Sequence, residues 1–267
     1  MPGSGSSIFS DADGYQATLQ DMLDLLVLRP RDFHARLTWV EFPYLQLLRA
    51  QEASARVACV RLPPQQVFVT FLTQQGPPLI YSGIELKYGD LIMHSCGEQG
   101  YQRTSSATRW GSISVTLAAL LHFGEAVAGR GIAPPATFCL LRPVPAARRQ
   151  LLRIHSQAGR IAETNLDRLS HKEIVRALEQ ELILALITCL TTGQVLQDHA
   201  VKRHQAAVLF QLEAMLATQP YKLLHTQDIC RTIGVSEHIL RASCSSVLGM
   251  SADSYQRCCG SSECAGS

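Results

Sequence analysis

Apolar and polar positions alternate with a period of two over the first half of the chain. Val67, Val69 and Phe71 alternate with Phe68, Thr70 and Leu72, which predicts a strand buried on both faces. Turn signals such as Gln75-Gly76-Pro77-Pro78 separate it from its neighbours. We expect strands near residues 38–48, 56–62, 66–73, 79–86, 90–94, 100–104 and 110–116. Many short strands at close spacing indicate a β-barrel or a β-sandwich.

Helical periods flank this region on both sides. Residues 1–14 are rich in Gly and Ser and are predicted to be irregular, and residues 15–28 are predicted to form a short helix closed by Arg29-Pro30. Helices are also expected over 117–128, 146–169, 174–190 and 199–219. Ser170 and Glu173 read as a capping box for the 174–190 helix. That helix is apolar on nearly all sides, so it is buried either within its domain or against another subunit.

Two short helical patterns meet at a glycine turn between residues 223 and 257. Gly234 ends the first, because the residue after a helix often needs a positive φ, which glycine adopts without a Cβ penalty. Ser236 can cap the second helix, and Gly249 stops it. This order predicts a helix-turn-helix, whose second helix can lie in a DNA major groove.

The composition limits the classes of protein that remain. The chain has 267 residues, 46% hydrophobic residues and a net charge of +2, and its apolar runs are shorter than the roughly 20 residues of a membrane span. Residues 201–257 hold six basic and four acidic side chains, a weak bias that permits local DNA contact. The nine cysteines include no CxxC pair and no secretory signal precedes them, which favours a cytoplasmic chain without membrane contact.

The amino-acid sequence of the predicted helix-turn-helix also resembles that of a known family. The stretch GVS-x-x-x-LR-x-x-C-x-x-x-LGMS-x-x-x-Y resembles the first helix-turn-helix of the AraC/XylS family of bacterial transcription regulators. The resemblance implies double-stranded DNA as a partner, read by Glu237, His238 and Arg241 in the first turns of the second helix. Arg241 is the strongest candidate, because a guanidinium can donate two hydrogen bonds to guanine.

The strand-rich region is weakly similar to the cupin-like sensor domain of many AraC-type regulators. The similarity rests on GIELKYGDLIMHSCGEQGYQR and RWGSISV, and it implies a small-molecule effector of unknown identity. The candidate ligand-binding residues, chosen by residue type, are Trp39, Tyr81, His94, Glu98, Gln102 and Trp110. Ser95 and Cys96 follow His94 where metal-binding cupins carry a second histidine, so no metal or other cofactor is expected. The chain also lacks a nucleophile–base pair, so we do not expect an enzyme.

These observations predict an α+β protein with an N-terminal cupin-like β-barrel, a helical linker and a C-terminal all-α helix-turn-helix domain. The expected divisions are a flexible leader and short helix (1–32), an effector-binding domain (33–138), a helical linker for dimerisation (139–197), an incomplete DNA-binding domain (198–257) and an irregular tail (258–267).

The tail separates two hypotheses about function. AraC-type modules continue into a second helix-turn-helix, whereas residues 258–267 are predicted not to form a helix, which suggests truncation. One hypothesis is an effector-responsive, sequence-specific DNA-binding regulator that forms a homodimer. The alternative is a truncated sensor or dimerisation protein that has lost efficient DNA binding.

Overall fold

A computed structural model describes residues 3–19, 22–27, 32–196, 200–218 and 224–263, with the backbone alone at 200 and 259–263. Its strands are β1 (Gly5–Phe9), β2 (Leu23–Val27), β3 (Ala35–Glu41), β4 (Leu45–Glu52), β5 (Arg56–Arg61), β6 (Gln66–Leu72), β7 (Leu79–Tyr81), β8 (Ile84–Leu86), β9 (Leu91–Met93), β10 (Gln99–Thr104), β11 (Thr108–Thr116), β12 (Cys139–Arg142) and β13 (Gln194–Leu196). Its α-helices are α1 (Ala12–Thr18), α2 (Leu117–Ala128), α3 (Pro145–Thr164), α4 (Lys172–Thr192), α5 (Ala200–Thr218), α6 (Thr226–Ile233), α7 (Glu237–Ser243) and α8 (Ala252–Glu263). The predicted α+β class is confirmed.

The strands form two antiparallel sheets that face each other. One has eight strands in the order β1-β3-β4-β11-β6-β9-β12-β13, and the other has five in the order β2-β5-β10-β7-β8. The strand spacing fitted a barrel or a sandwich, and the resemblance led to the prediction of a cupin-like β-barrel; the strands form two separate sheets. The predicted strand at 38–48 is the hairpin of β3 and β4, and the one at 79–86 is the hairpin of β7 and β8.

The strands β5, β6 and β9 are buried on both faces, and their sequences are mostly apolar. In β6, Val67, Val69 and Phe71 pack against the helices α3 and α4, whereas Leu72 faces the second sheet. In β5, Ala58 and Val60 lie between the sheets, and Val57 and Cys59 pack against helices of the C-terminal region. The molecule is therefore layered as helices, eight-stranded sheet, five-stranded sheet and helices.

The N-terminal prediction differs from the structure. Residues predicted to be irregular form β1, which pairs with β3, and the predicted 15–28 helix is α1 followed by the strand β2. The short apolar run Leu23–Val27 fits either a helix or a strand, and pairing with β5 decides between them. The predicted helix end at Arg29-Pro30 lies outside the described residues.

The linker also differs from an all-helical segment. β12 pairs with β9 and with β13, so the eight-stranded sheet extends past the predicted boundary at residue 138. The predicted capping box is absent: α4 begins after His171, and the Ser170 hydroxyl donates to the carbonyl of Asp167 at 2.6 Å. Ser170 ends a short 3-10 turn, Leu166–Ser170, and its hydroxyl bonds within that turn instead of capping α4.

The helix, glycine turn and capped helix predicted from the sequence are present as α6, Gly234 and α7. Gly234 has φ +78°, and the Ser236 hydroxyl accepts the Ile239 N–H at 3.3 Å. A π-turn, Cys244–Leu248, continues α7 and ends at Gly249 with φ +72°. The tail predicted to be irregular is helical as far as Glu263, as part of α8. Residues 264–267 lie outside the described part of the chain.

The helices that the structure describes include none long and apolar enough to span a membrane.

A buried histidine joins α3 to the eight-stranded sheet. The His155 ring is 1% exposed and lies over Gly111, where any Cβ would clash with the ring. Its Nε2 is 2.9 Å from the carbonyl oxygen of Leu48, which fits a neutral ring that donates. Burial lowers the pKa of His155 to about 4, because the charged ring would lose its water.

The protein is expected to lose stability as the pH falls from about 6.5 to about 4. In this window the unfolded chain binds a proton at His155 that the folded chain excludes. The free energy of unfolding falls by up to about 1.4 kcal/mol per pH unit from this group. Urea unfolding at several pH values measures it. His155→Gln is expected to flatten the dependence of the free energy of unfolding on pH. The control His171→Gln, which replaces an exposed ring, should leave that dependence as it is. An unchanged dependence in His155→Gln would contradict the assignment.

Candidate functional site

The first turns of α7 present the three residues predicted to read DNA. Glu237, His238 and Arg241 are all exposed, and Ser245 continues the same face. The opposite face is buried, with Leu240 and Cys244 in the core of the helical region. Arg241 makes no hydrogen bond or ion pair to the residues that the structure describes, so its guanidinium is available to a partner.

The far end of the same helix packs against the five-stranded sheet. Ser246 and Val247 of the π-turn lie over Gly83, where a Cβ would come within 2.8 Å of the Ser246 hydroxyl. Lys202 of α5 donates to that hydroxyl at 2.8 Å. On the sheet, Tyr101 packs its ring against Phe210 of α5 with the ring centroids 4.8 Å apart. The helical region is therefore docked on the sandwich, a contact that the local sequence pattern did not reveal.

A carboxylate sits within this interface. Glu213 of α5 accepts the Tyr255 hydroxyl at 2.5 Å. Burial, reinforced by the charge of Glu213, raises the pKa of the Cys59 thiol to about 12 and raises that of Tyr101 well above its usual range. Both groups stay protonated and neutral where the helices meet the sheet.

A buried ion pair crosses between the two sheets. Arg56 is 0% exposed and donates to both oxygens of Glu52, at 3.0 and 3.1 Å. The Tyr15 hydroxyl and the Trp110 indole N–H also donate to Glu52, at 2.8 and 2.9 Å. Arg56 donates further to the Gln102 side-chain oxygen at 2.5 Å. We call this set the Glu52–Arg56 network.

A second polar cluster lies between the sheets around Glu98. The Tyr81 hydroxyl donates to one oxygen at 2.7 Å, and the Ser95 N–H donates to the other at 2.8 Å. His94 Nδ1 is 3.6 Å from Glu98, and Nε2 is 3.1 Å from the Thr70 hydroxyl. Burial opposes ionisation of Glu98, but His94, Tyr81 and Ser95 outweigh it and lower the pKa of that carboxyl. Glu98 is therefore a buried, ionised acceptor.

Four of the six predicted ligand-binding residues line one cavity: Tyr81, His94, Gln102 and Trp110. Glu98 holds Tyr81 without lining the cavity. Trp39 lies apart on β3, packed over Gly5, its register partner. The cavity has a volume of about 40 Å³. That is far below the roughly 300–1,000 Å³ of a small-molecule pocket, and at roughly 10–15 Å³ each it holds only a few water molecules.

The described residues include no group of three or more His, Cys, Asp or Glu side chains placed to hold a metal ion. Burial raises the pKa of Cys189 to about 12, and burial with neighbouring charge raises that of Cys244 to about 11. Thiols of this kind are protonated and chemically inert at neutral pH.

The sequence interpretation missed Glu52 and Arg56. Their spacing of four residues, on either side of Ala53-Ser54-Ala55, resembles an ordinary charged turn. Their burial depends on Tyr15, Gln102 and Trp110, which come from distant parts of the chain. No local signal identifies such a network.

Comparison with known proteins gives fold-level likeness alone. No protein-family model matches the chain, and no curated protein does. Among solved structures, the AraC-like transcriptional activator CuxR is 14% identical with a TM-score of 0.49, over 96% of this chain and 92% of that one. ToxT from Vibrio cholerae is 7% identical with a TM-score of 0.34, over 80% and 98%. The EutQ protein of Clostridium difficile is 11% identical with a TM-score of 0.27, over 32% and 71%. At these values the likeness carries no argument about function.

Breaking the Glu52–Arg56 pair on one side is expected to destabilise the protein strongly. Glu52→Ala leaves the Arg56 guanidinium buried without its counter-ion, at a cost of about 3–5 kcal/mol in the free energy of unfolding. The double variant Glu52→Leu/Arg56→Met removes both charges and should cost less than the single one, because no charge remains buried. Urea unfolding measures both. A double variant less stable than Glu52→Ala would contradict this account.

Proposed function

We propose that this chain is an effector-responsive, sequence-specific DNA-binding transcription regulator of the AraC type. One observation carries the proposal: α7 is capped after a left-handed Gly234, buries one face, and exposes Glu237, His238 and Arg241 on the other. A helix with this exposure can enter a DNA major groove with its N-terminal residues toward the base edges. The partner is double-stranded DNA.

Effector response is supported by the alternation of side chains along β10. Gln102 points between the sheets and accepts from Arg56, whereas its neighbours Tyr101 and Arg103 face the helical region. A change between the sheets that displaces Gln102 therefore also displaces the surface on which α5 and the π-turn rest. The interior residues Tyr81, His94, Glu98, Gln102 and Trp110 stay proposed as an effector site for a ligand of a few atoms.

Loss of sequence-specific binding on Arg241→Ala is the expected outcome of the central experiment. The chain selects bound fragments from a random DNA pool at near-physiological salt, and the enriched sequence is then titrated. Removing a bidentate guanine contact weakens binding by about tenfold or more, since it is worth about 1–3 kcal/mol.

The control for this experiment is Arg160→Ala, which replaces an exposed arginine of α3, away from α7. It should leave affinity for the selected sequence unchanged. Affinity should also fall steeply with salt, because phosphate contacts release counterions. A folded protein that enriches no sequence overturns the proposal and favours the alternative, a sensor or dimerisation protein without efficient DNA binding.

We also propose a homodimer that forms through α4. Most apolar residues of α4, including Leu182, Leu186 and Cys189, are buried within the molecule. Leu184 is the exception, because 54% of it is exposed in the middle of the helix. The proposed dimer covers this side chain, which the rest of the described chain leaves exposed.

Leu184→Glu is expected to convert the dimer to a monomer, because a charge would be buried at the contact. Sedimentation velocity at micromolar concentrations measures the change. Leu166→Glu, at an exposed leucine in the 3-10 turn, is the matched control and should leave the dimer intact. A strictly monomeric wild-type chain would rule out this part of the proposal.

A further inference from the structure

A groove of about 570 Å³ opens at one end of the eight-stranded sheet. We call it the rim groove. Its walls are the ends of β3, β4 and β11 and the turn that contains Gln74, Gly76 and Pro77. Its volume falls within the roughly 300–1,000 Å³ of small-molecule sites, in contrast to the cavity between the sheets.

Strand register places two arginines on the same side of this groove. Arg36 lies opposite Gln51, and Gln51 lies opposite Arg109. Directly paired residues point to the same face of a sheet, and neighbouring strands are about 4.8 Å apart. Two guanidiniums therefore flank one amide, and the flexible arginine side chains can converge on one ligand group.

The charges of the groove favour an anion. Arg109 donates to the Gln74 side chain at 2.7 Å, which orients its guanidinium. Arg36 makes no hydrogen bond or ion pair to the described residues. The carboxylate among the lining residues is Glu52, whose side chain is 1% exposed and bound to Arg56, Tyr15 and Trp110. It offers no counter-charge to a ligand, so the groove is positively charged.

Part of the remaining wall is apolar, beside the polar residues His34, Gln75 and Thr108. Ile8 lies opposite Arg36 in register and is 71% exposed, and Pro77 also lines the groove. A large apolar side chain with this exposure beside an arginine can cover the body of a ligand whose charged end meets the guanidinium. The groove therefore combines two arginines that can bind an anion with an apolar surface, the usual composition of a small-molecule site.

We propose that the rim groove binds a small organic anion with an apolar body. Its carboxylate, sulfonate or phosphate group accepts charge-assisted hydrogen bonds from Arg36 and Arg109, and its body covers Ile8 and Pro77. This site is separate from the cavity that holds His94 and Gln102, and its occupancy does not depend on whether the chain binds DNA.

The experiment measures binding of naphthalene-2-sulfonate to the full chain by calorimetry, without DNA. The matched probe is naphthalene-2-sulfonamide, which has the same ring system and no charge. We expect saturable 1:1 binding of the sulfonate and at least tenfold weaker binding of the sulfonamide, because the contacts with the two guanidiniums are charge-assisted.

Arg36→Gln and Arg109→Gln test the contribution of each arginine separately. Each is expected to weaken sulfonate binding by about tenfold, whereas Arg160→Gln, an exposed arginine outside the groove, leaves it unchanged. Side-chain amide NMR signals of Gln51 and Gln74 should shift on binding. The proposal is overturned if the wild type does not bind the sulfonate, if both probes bind equally, or if neither arginine variant changes the affinity.

Discussion

The Glu52–Arg56 ion pair connects elements of both sheets. It spans the corner where the chain leaves the eight-stranded sheet at β4 and enters the five-stranded sheet at β5. Burying two charges carries a desolvation penalty of several kcal/mol per ion, which is offset only if the remaining donors and acceptors are satisfied. Tyr15, Trp110 and Gln102 satisfy them from α1, β11 and β10. These three elements must therefore reach their native positions together, and the pair specifies the arrangement of the sheets rather than adding a large net stability.

The sequence predicted the parts of the molecule that short-range physics determines. Gly234 and Gly249 both have positive φ, and Ser236 caps α7, so the helix-turn-helix follows from residues next to one another. β6 was recognisable as a two-sided strand because both of its faces are apolar. The predictions that were wrong concern residues whose structure depends on contacts outside their own local pattern. β1 and β2 depend on pairing with β3 and β5, and Ser170 lost its predicted role to a competing turn. The Glu52–Arg56 network and the rim groove require residues far apart in the chain, so no local period encodes them.

The candidate ligand sites show the same division. Four of the candidates chosen by residue type, Tyr81, His94, Gln102 and Trp110, line one cavity, because large polar and aromatic side chains between sheets must satisfy one another. Residue type did not indicate that these side chains fill most of the space between the sheets and leave a cavity of about 40 Å³. Room for a larger molecule lies outside the sandwich, in the rim groove, where Glu52 is shared with the buried network. The groove borders Glu52 of β4, whose buried side chain belongs to the network that reaches Gln102 on β10.

The position of α7 explains how such a contact can reach the proposed DNA-reading surface. The helix has two ends with different tasks: Glu237, His238 and Arg241 are exposed at its start, and the π-turn that continues it rests on Gly83 and Arg103. Because the two ends belong to one continuous helical segment, a shift of the sheet under the π-turn reorients the exposed end as a rigid body. Base reading depends on bidentate geometry, so a small reorientation removes a discrimination of about 1–3 kcal/mol per contact without unfolding anything. Under the proposed function, a movement of the docked sheet would change the orientation of Glu237, His238 and Arg241 without changing these residues themselves.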